Sequence, residues 1–144
     1  MLECKGFEPK EKLTQIVGMN GELQSYLEVK YRIEWFNQYC AENDIKGVID
    51  ESDIKYLEQV KMFVATCKIY MDDKLVATGI GGKMVDGDIT SMNMIIQSAA
   101  TIAKGRALAI VVLVLRCVQT MKAVKILIFF LVMQELQLIR ITIR

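Results

Sequence analysis

Apolar residues recur at helical spacing in two segments of the first 109 residues. The first stripe predicts a helix over residues 29–42, ending near Asn43. The second predicts a helix over residues 90–109 that starts near Thr90 or Ser91, because Thr and Ser are good N-caps. The stripes are Val29, Ile33, Phe36 and Cys40 in the first helix, and Met92, Ile95, Ile96, Ala99, Ile102 and Ala103 in the second.

Between the two helices the apolar period changes to two, which is typical of strands. The strongest strand runs over residues 60–71, and residues 75–81 return beside it after a turn at Asp72-Asp73-Lys74. A short strand is expected at residues 46–50, followed by a turn at residues 51–53. One face of the strongest strand carries Phe63, Ala65, Cys67, Ile69 and Met71.

This order of elements predicts an α+β fold. A small antiparallel sheet, made of the hairpin over residues 60–81 and the short strand, carries the helices near 29–42 and 90–109 on one face. Residues 79–82 (GIGG) are expected to leave the sheet, and residues 11–17 to form a short helix. Arg106 continues the second stripe at a spacing of seven from Ala99, so it must reach beyond the sheet edge or pair with an acid.

The charge pattern divides the 144-residue chain into two predicted regions, 1–109 and 110–144. The first holds 13 Lys/Arg and 16 Asp/Glu, a net charge of −3, whereas the second holds 5 and 1, a net charge of +4. The second region has 24 apolar residues and contains no Gly, Pro, Ser, Asn or Asp. Turns depend on those residue types, so this tail differs in kind from the domain before it.

Three interpretations of the tail stay open. Its apolar runs, 107–115 and 126–133, are shorter than the roughly 20 residues that span a bilayer, but its basic excess suits an anionic membrane surface. It could instead be a core or oligomer segment, since residues 138–144 alternate like a strand. In the third interpretation the tail is a frameshifted translation, because the neighbouring frame can encode a polar, turn-rich continuation after Ala109. The coding DNA tests this.

Several function classes find no support in the residues. Histidine is absent, and the four cysteines lack a CxxC pair, so metal sites, disulfides and His-dependent catalysis are not expected. Gly82-Lys83 lacks the first glycine and the Ser/Thr of a phosphate loop. The acidic groups at 50–53, 72–73 and 86–88 fall where turns or helix starts favour Asp. A non-enzymatic protein without metal or cofactor is expected, in the cytoplasm because no signal peptide is visible.

Three segments carry a resemblance to a known family. Residues 26–36 (YLEVKYRIEWF) resemble the opening helix motif of phage-type single-strand annealing proteins related to the eukaryotic Rad-type recombination mediator. Residues 77–81 (ATGIG) resemble the strand and glycine exit of that superfamily, and residues 97–108 (QSAATIAKGRAL) are similar to its signature helix. The resemblance covers residues 26–109. The family's Phe-Gly is missing after Leu108, and the shifted frame can restore Phe-Gly-Thr at about that place.

The resemblance implies binding of single-stranded DNA and annealing of complementary strands in phage-type homologous recombination and DNA repair. It implies no ATP or other cofactor, no small-molecule substrate, and a homo-oligomeric ring or filament. Arg32 and Arg106 align with arginines of the family and would contact phosphate, while Lys104 and Lys83 would line the same path. We therefore expect the two arginines, from separate helices, to converge beside the sheet.

Each of these residues also has a simpler interpretation. Arg106 could be a cation that stabilises a helix C-terminus, and Arg32 could pair with Glu28 at i−4. Trp35 and Tyr39 are expected in the core rather than as base-stacking platforms. At the level of function, the alternative is a noncatalytic interaction domain whose tail self-associates or contacts a membrane.

Overall fold

The computed structural model describes residues 4–18, 20–85 and 91–142. A 3₁₀ turn, Pro9–Lys12, leads into strands β1 (Leu13–Val17) and β2 (Leu23–Leu27). Helix α1 (Val29–Glu42) follows, then β3 (Gly47–Leu57), a 3₁₀ turn (Glu58–Val60), β4 (Met62–Met71), β5 (Lys74–Met84) and helix α2 (Met92–Thr142). The chain divides into two compact units, Met1–Val112 and Leu113–Arg144.

The larger sheet has the order β3-β4-β5, with both pairs of strands antiparallel. The alternation predicted for β4 is confirmed. Its buried residues, Ala65, Cys67, Ile69 and Met71, share one face, and the residues between them are only half-buried. The opposite face stays wet because its central positions pair Asp50 and Thr78 with Lys68.

A two-residue turn joins β4 to β5, as the sequence predicts. Asp72 and Asp73 have φ of 49° and 60°, the left-handed conformation that Asp tolerates better than most residues. The backbone N–H of Lys46 donates to the Asp72 carboxylate at 3.0 Å, and its ammonium group donates to Asp73 at 2.9 Å. These bonds fix the start of β3 against the tip of the hairpin.

Helix α2 packs directly on β5 because that strand presents glycine to it. A Cβ at Gly79 would overlap the Ala103 carbonyl, and a Cβ at Gly81 would overlap the Ala99 carbonyl. On the helix side, Ala99, Ala103 and Ala107 are fully buried. Small residues on both elements therefore set the close spacing of the helix and the sheet.

The α+β class, with helices on one face of a small antiparallel sheet, is confirmed, and α1 has the predicted bounds. Trp35 and Phe36 of α1 are buried. Ser91 directly precedes α2, whereas Thr90 lies outside the described residues. Within the α2 stripe, Ile102 is 36% exposed, so the buried stripe is narrower than predicted.

Four local predictions are wrong. Residues 13–17 form a strand rather than a helix, because Thr14, Ile16 and Val17 favour extended backbone and β2 supplies a partner. Residues 51–53 lie within β3, at a register shift between Asp50 and Asp53 rather than at a turn. Residues 79–82 stay in β5, which continues to Met84. The glycines at 79 and 81 leave room for the backbone of α2 to pack against the strand.

The fourth concerns the end of α2. The helix continues past residue 109 to Thr142, and no strand forms at 138–142, because the chain after Ala109 contains no Gly or Pro to end a helix.

Candidate nucleic-acid interface

One turn of α2 presents two basic side chains to opposite edges of the sheet. Successive helical residues point about 100° apart, so Lys104 and Arg106 diverge on either side of the buried Ala103 and Ala107. The Lys104 ammonium group lies 2.7 Å from a carboxylate oxygen of Glu51 on β3. The Arg106 guanidinium donates through Nη1 to a backbone carbonyl of β5, 2.6 Å away. β3 and β5 are the two outer strands of the sheet.

Arg106 is exposed and bonds to backbone rather than to an acid. Its acceptor is the Ile80 carbonyl, and among the described residues no carboxylate forms an ion pair with it. The prediction that Arg106 lies on the buried stripe is wrong. Arg106 lies on the exposed side of α2 that is next to β5. The helix C-terminus interpretation is also wrong, since α2 continues well beyond this residue to Thr142.

Arg32 is anchored in the same manner from α1. Its Nε donates to the Leu27 carbonyl at 2.8 Å, and its Nη1 donates to the Gly105 carbonyl of α2 at 2.9 Å. The guanidinium carbon lies 5.1 Å from the centre of the Tyr26 ring. Two backbone acceptors and one ring thus hold the half-buried guanidinium without neutralising its charge.

The alternative ion pair between Arg32 and Glu28 does not form. The Glu28 carboxylate instead lies 2.9 Å from the ammonium group of Lys30 and accepts a hydrogen bond from Thr14 at 3.3 Å. These two bonds lower the pKa of Glu28, with the Lys30 hydrogen bond the larger cause. The carboxylate four residues before Arg32 therefore has other partners.

Arg32 contacts α2 at the residue directly before Arg106. Arg32 bonds to the carbonyl of Gly105, and Arg106 is the next residue. Gly105 is needed there because a Cβ would lie 2.9 Å from a methyl group of Val29, where α1 crosses α2. A guanidinium has five N–H donors, of which Arg32 uses two and Arg106 uses one within the described residues. The remaining donors are available to a phosphate.

Lys104 and Lys83 differ from the arginines. Lys104 is about four-fifths buried, and its charge is compensated by Glu51. Lys83 is exposed near the end of β5 and pairs in register with Phe63, on the face that α2 covers. Lys83 lies on the same outer strand that Arg106 reaches, whereas Lys104 points to the other edge of the sheet. The four predicted residues therefore do not share one path.

Of the two aromatic residues of α1 that were expected in the core, Trp35 is buried and Tyr39 is half-buried. Trp35 is 0% exposed, and its ring centre lies 5.5 Å from that of Tyr39. Burial raises the pKa of Tyr39, with smaller contributions from the neighbouring thiols. The buried Trp35 ring is not accessible to a base.

The described acidic groups at 50–53 and 72–73 have partners within the protein: Asp50 bonds to Ser52, the Glu51 and Asp53 carboxylates pair with lysines, and Asp72 and Asp73 accept from Lys46. Asp50 accepts from the Ser52 hydroxyl at 2.7 Å and from the Ser52 N–H at 3.0 Å, and these bonds lower its pKa. Within the described ranges no three His, Cys, Asp or Glu side chains form a group that could hold a metal ion. Asp86 and Asp88 lie outside those ranges.

The buried thiols are poor nucleophiles. Burial, helped by the Glu51 carboxylate, raises the pKa of Cys67 to about 11. Burial and the Glu42 carboxylate do the same for Cys4. A thiol with such a pKa is protonated at neutral pH, so neither cysteine offers a thiolate.

The sequence did not indicate that Tyr26, Leu27 and Gly105 contact the Arg32 guanidinium. Tyr26 could have been suspected, because an aromatic residue six positions before an arginine spans the corner between β2 and α1. The Gly105 carbonyl could not, because it is 73 residues away from Arg32.

Comparison with protein-family models gave no match, and comparison with curated proteins gave none either.

Proposed function

We propose that this protein binds single-stranded DNA through Arg32 and Arg106 and anneals complementary strands without hydrolysing a nucleotide. The observation that carries the proposal is the anchoring of both guanidinium groups on backbone carbonyls of adjoining elements, free of carboxylate partners within the described residues. A guanidinium held this way is pre-organised, and its remaining donors suit phosphate oxygens.

The chemistry of the site favours a backbone ligand over a base-specific one. Arginine donors match phosphate geometry, whereas the buried Trp35 cannot stack on a base. A strand held mainly by its phosphates keeps most of its bases free to pair, which is the physical requirement for annealing. The negative balance of residues 1–109 does not oppose this, because the local charge at the contact decides binding.

The four basic residues differ as DNA contacts because a carboxylate neutralises one of them and not the others. Arg32 and Arg106 carry the contact, and exposed Lys83 extends it along β5. Lys104 contributes least, because the Glu51 carboxylate already neutralises it. The resemblance of residues 26–109 to annealing proteins adds the role in phage-type recombination and repair, and assembly into a ring or filament.

Fluorescence anisotropy with a labelled oligothymidylate tests binding. We expect low-salt binding that is insensitive to sequence, with Arg32→Ala and Arg106→Ala each weakening it about fivefold or more, since a charge-assisted hydrogen bond contributes roughly 1.5–3 kcal/mol. Lys74→Ala, an exposed cation at the β4–β5 turn, is the matched control. Absence of binding at low salt, or equal losses in all three variants, contradicts the proposal.

A strand-pairing assay tests annealing separately. Two complementary oligonucleotides, one carrying a quencher, should pair faster with the protein and without ATP, and both arginine variants should slow this pairing. Sedimentation velocity with and without DNA reports the assembly state. Binding without any acceleration of pairing would leave a single-strand-binding protein and remove annealing.

A second candidate function rests on α2. Its segment Met92–Ile126 is long and apolar enough to cross a membrane, judged by length and composition. Between residues 113 and 126 the exposed apolar side chains alternate with cations; the exposed set is Leu113, Val114, Val118, Met121, Val124 and Ile126. The cations Arg116, Lys122 and Lys125 favour an anionic bilayer over a second copy of the same basic segment.

Vesicle sedimentation tests this second function. Full-length protein should sediment with phosphatidylserine-containing vesicles and less with phosphatidylcholine alone, and the double variant Lys122→Glu/Lys125→Glu should remove the difference. Equal sedimentation with both vesicle types contradicts the electrostatic part of the proposal.

A further inference from the structure

A second group of cations and rings lies where the first 3₁₀ turn meets the start of α1. The ammonium nitrogen of Lys12 is 5.2 Å from the centre of the Tyr31 ring, and that of Lys30 is 4.7 Å from the same centre. Residues distant in sequence thus place two positive charges against one ring. Such contacts stabilise by roughly 0.5–1 kcal/mol at exposed sites and hold the ring in position.

The two lysines differ in charge compensation. Lys30 is paired with Glu28 at 2.9 Å. Lys12 is half-buried, and no carboxylate within the described part of the chain forms an ion pair with it. Lys12 thus combines partial burial with a charge that no described carboxylate neutralises, which is also the condition of Arg32. The ammonium donors of Lys12 are therefore available to an anion.

This group neighbours the site already described along α1. Tyr31 precedes Arg32 in α1, and Arg32 lies over the half-buried ring of Tyr26. The corner between β2 and α1 thus carries two half-buried tyrosines, Tyr26 near the end of β2 and Tyr31 in the first turn of α1, each with a cation against its ring. From there the Arg32 guanidinium reaches the Gly105 carbonyl, next to Arg106.

We propose that Tyr31 and Lys12 form a second contact for single-stranded DNA, in which the exposed part of the Tyr31 ring packs against a base and Lys12 binds a phosphate. The inference rests on the proposed function and extends it. Arg32 is the shared element, so one strand passes from Arg106 across Arg32 to Tyr31. The second contact discriminates against duplex DNA, whose paired bases cannot reach the ring.

The test is anisotropy with a fluorescein-labelled oligothymidylate, using full-length protein whose circular dichroism matches the unmodified chain. Stacking on an aromatic ring contributes enough per base that Tyr31→Ala should weaken binding about fivefold or more without changing the salt slope. Tyr31→Phe keeps the ring and should bind within about twofold of the unmodified chain. Lys12→Gln should lower the salt slope by about 0.7, the value for one phosphate contact on a single strand.

Matched controls lie on the opposite face of the sheet and at its turn. Tyr70→Ala removes a half-buried tyrosine of β4 from the wet face, and Lys74→Gln removes an exposed cation. Both should bind like the unmodified chain.

If the unmodified protein binds single strands and Tyr31→Ala binds them equally well, the second contact is refuted while the proposed function stands. If the unmodified protein does not bind at all, both are refuted. A loss in Tyr31→Ala that is equally large for duplex DNA also overturns the stacking role.

Discussion

The two compact units of this chain are built from opposite kinds of sequence. Unit Met1–Val112 holds all five strands that the structure describes, and polar residues fill its turns. Unit Leu113–Arg144 is helical through residue 142, contains no turn-forming residue, and exposes large apolar side chains such as Leu113 and Met121 at 61% and 62%. Every core residue that the structure describes as buried lies in the first unit, although that unit also exposes apolar side chains such as Leu23, whereas no residue between 113 and 126 of the second unit is buried.

This difference teaches that composition and burial must be compared region by region. Averaged over the chain, the net charge of +1 and the 53% hydrophobic content look ordinary. The averages hide one region with a buried core and a candidate site, and another whose described apolar side chains between residues 113 and 126 are mostly exposed. The frameshift interpretation stays a prediction that the coding DNA tests.

The largest expected effect comes from filling the contact between β5 and α2. Gly79→Val should destabilise the first unit by about 3 kcal/mol or more, because its Cβ would meet the backbone of α2. Gly82→Ala is the control, because its Cβ would meet only the flexible end of Met62. Urea unfolding followed by circular dichroism measures both. Equal midpoints for the two variants would show that the packing at Gly79 is not as close as described.

The next effect is a dependence of stability on alkaline pH. The pKa of Cys67 is about 11 in the fold against an ordinary value of 9.0, so its contribution is complete below pH 9 and is lost as the pH rises towards 11. Unfolding free energy should fall by up to about 1.4 kcal/mol per pH unit from this thiol. Cys67→Ala should be less stable at pH 8 but should show a shallower decline, and an identical decline would refute the assignment.

A smaller effect on DNA binding is expected for Lys104, which is paired with Glu51, than for Arg32 and Arg106. Lys104→Met should lower the free energy of unfolding by about 1–2 kcal/mol, because it leaves the buried Oε1 atom of Glu51 without its cation. The same variant should bind single-stranded DNA within about twofold of the unmodified chain. Anisotropy and urea unfolding measure the two quantities. A loss of affinity as large as that of Arg106→Ala would place Lys104 in the interface.

The smallest effect is expected from removing the second unit. A chain ending at Val112 should unfold within about 1 kcal/mol of the full chain, because the large apolar side chains of residues 113–126 are already exposed and little burial is lost. It should keep single-strand binding and lose vesicle binding. A large drop in stability would mean that the second unit completes the core of the first.

Local periodicity predicted part of this fold well. The stripe in α1 gave its bounds, and the alternation in β4 gave its buried face. The hairpin of β1 and β2 was not predicted because each strand has only five residues. All of β1 is exposed, so its residues do not alternate between buried and exposed positions. The end of α2 was placed too early, at residue 109, although the apolar segment that follows contains no Gly or Pro to end the helix.

The site was predictable only in its residue types. Arg32 and Arg106 were named, but their acceptors are carbonyls of Leu27, Gly105 and Ile80. Backbone acceptors carry no sequence signature, and two of these bonds join residues 26 and 73 positions apart. The pairing of Lys104 with Glu51 likewise depends on tertiary packing. It makes Lys104 a weaker candidate for phosphate binding than its position beside Arg106 in the sequence suggests.

Salt dependence of single-strand binding tests the shared phosphate contact of Arg32 and Arg106 most directly. The logarithm of the association constant for an oligothymidylate should fall linearly with the logarithm of salt concentration. In the double variant Arg32→Ala/Arg106→Ala that slope should be smaller by about 1.4, two phosphate contacts at about 0.7 each on a single strand. An unchanged slope in a correctly folded double variant would mean that neither guanidinium binds a phosphate.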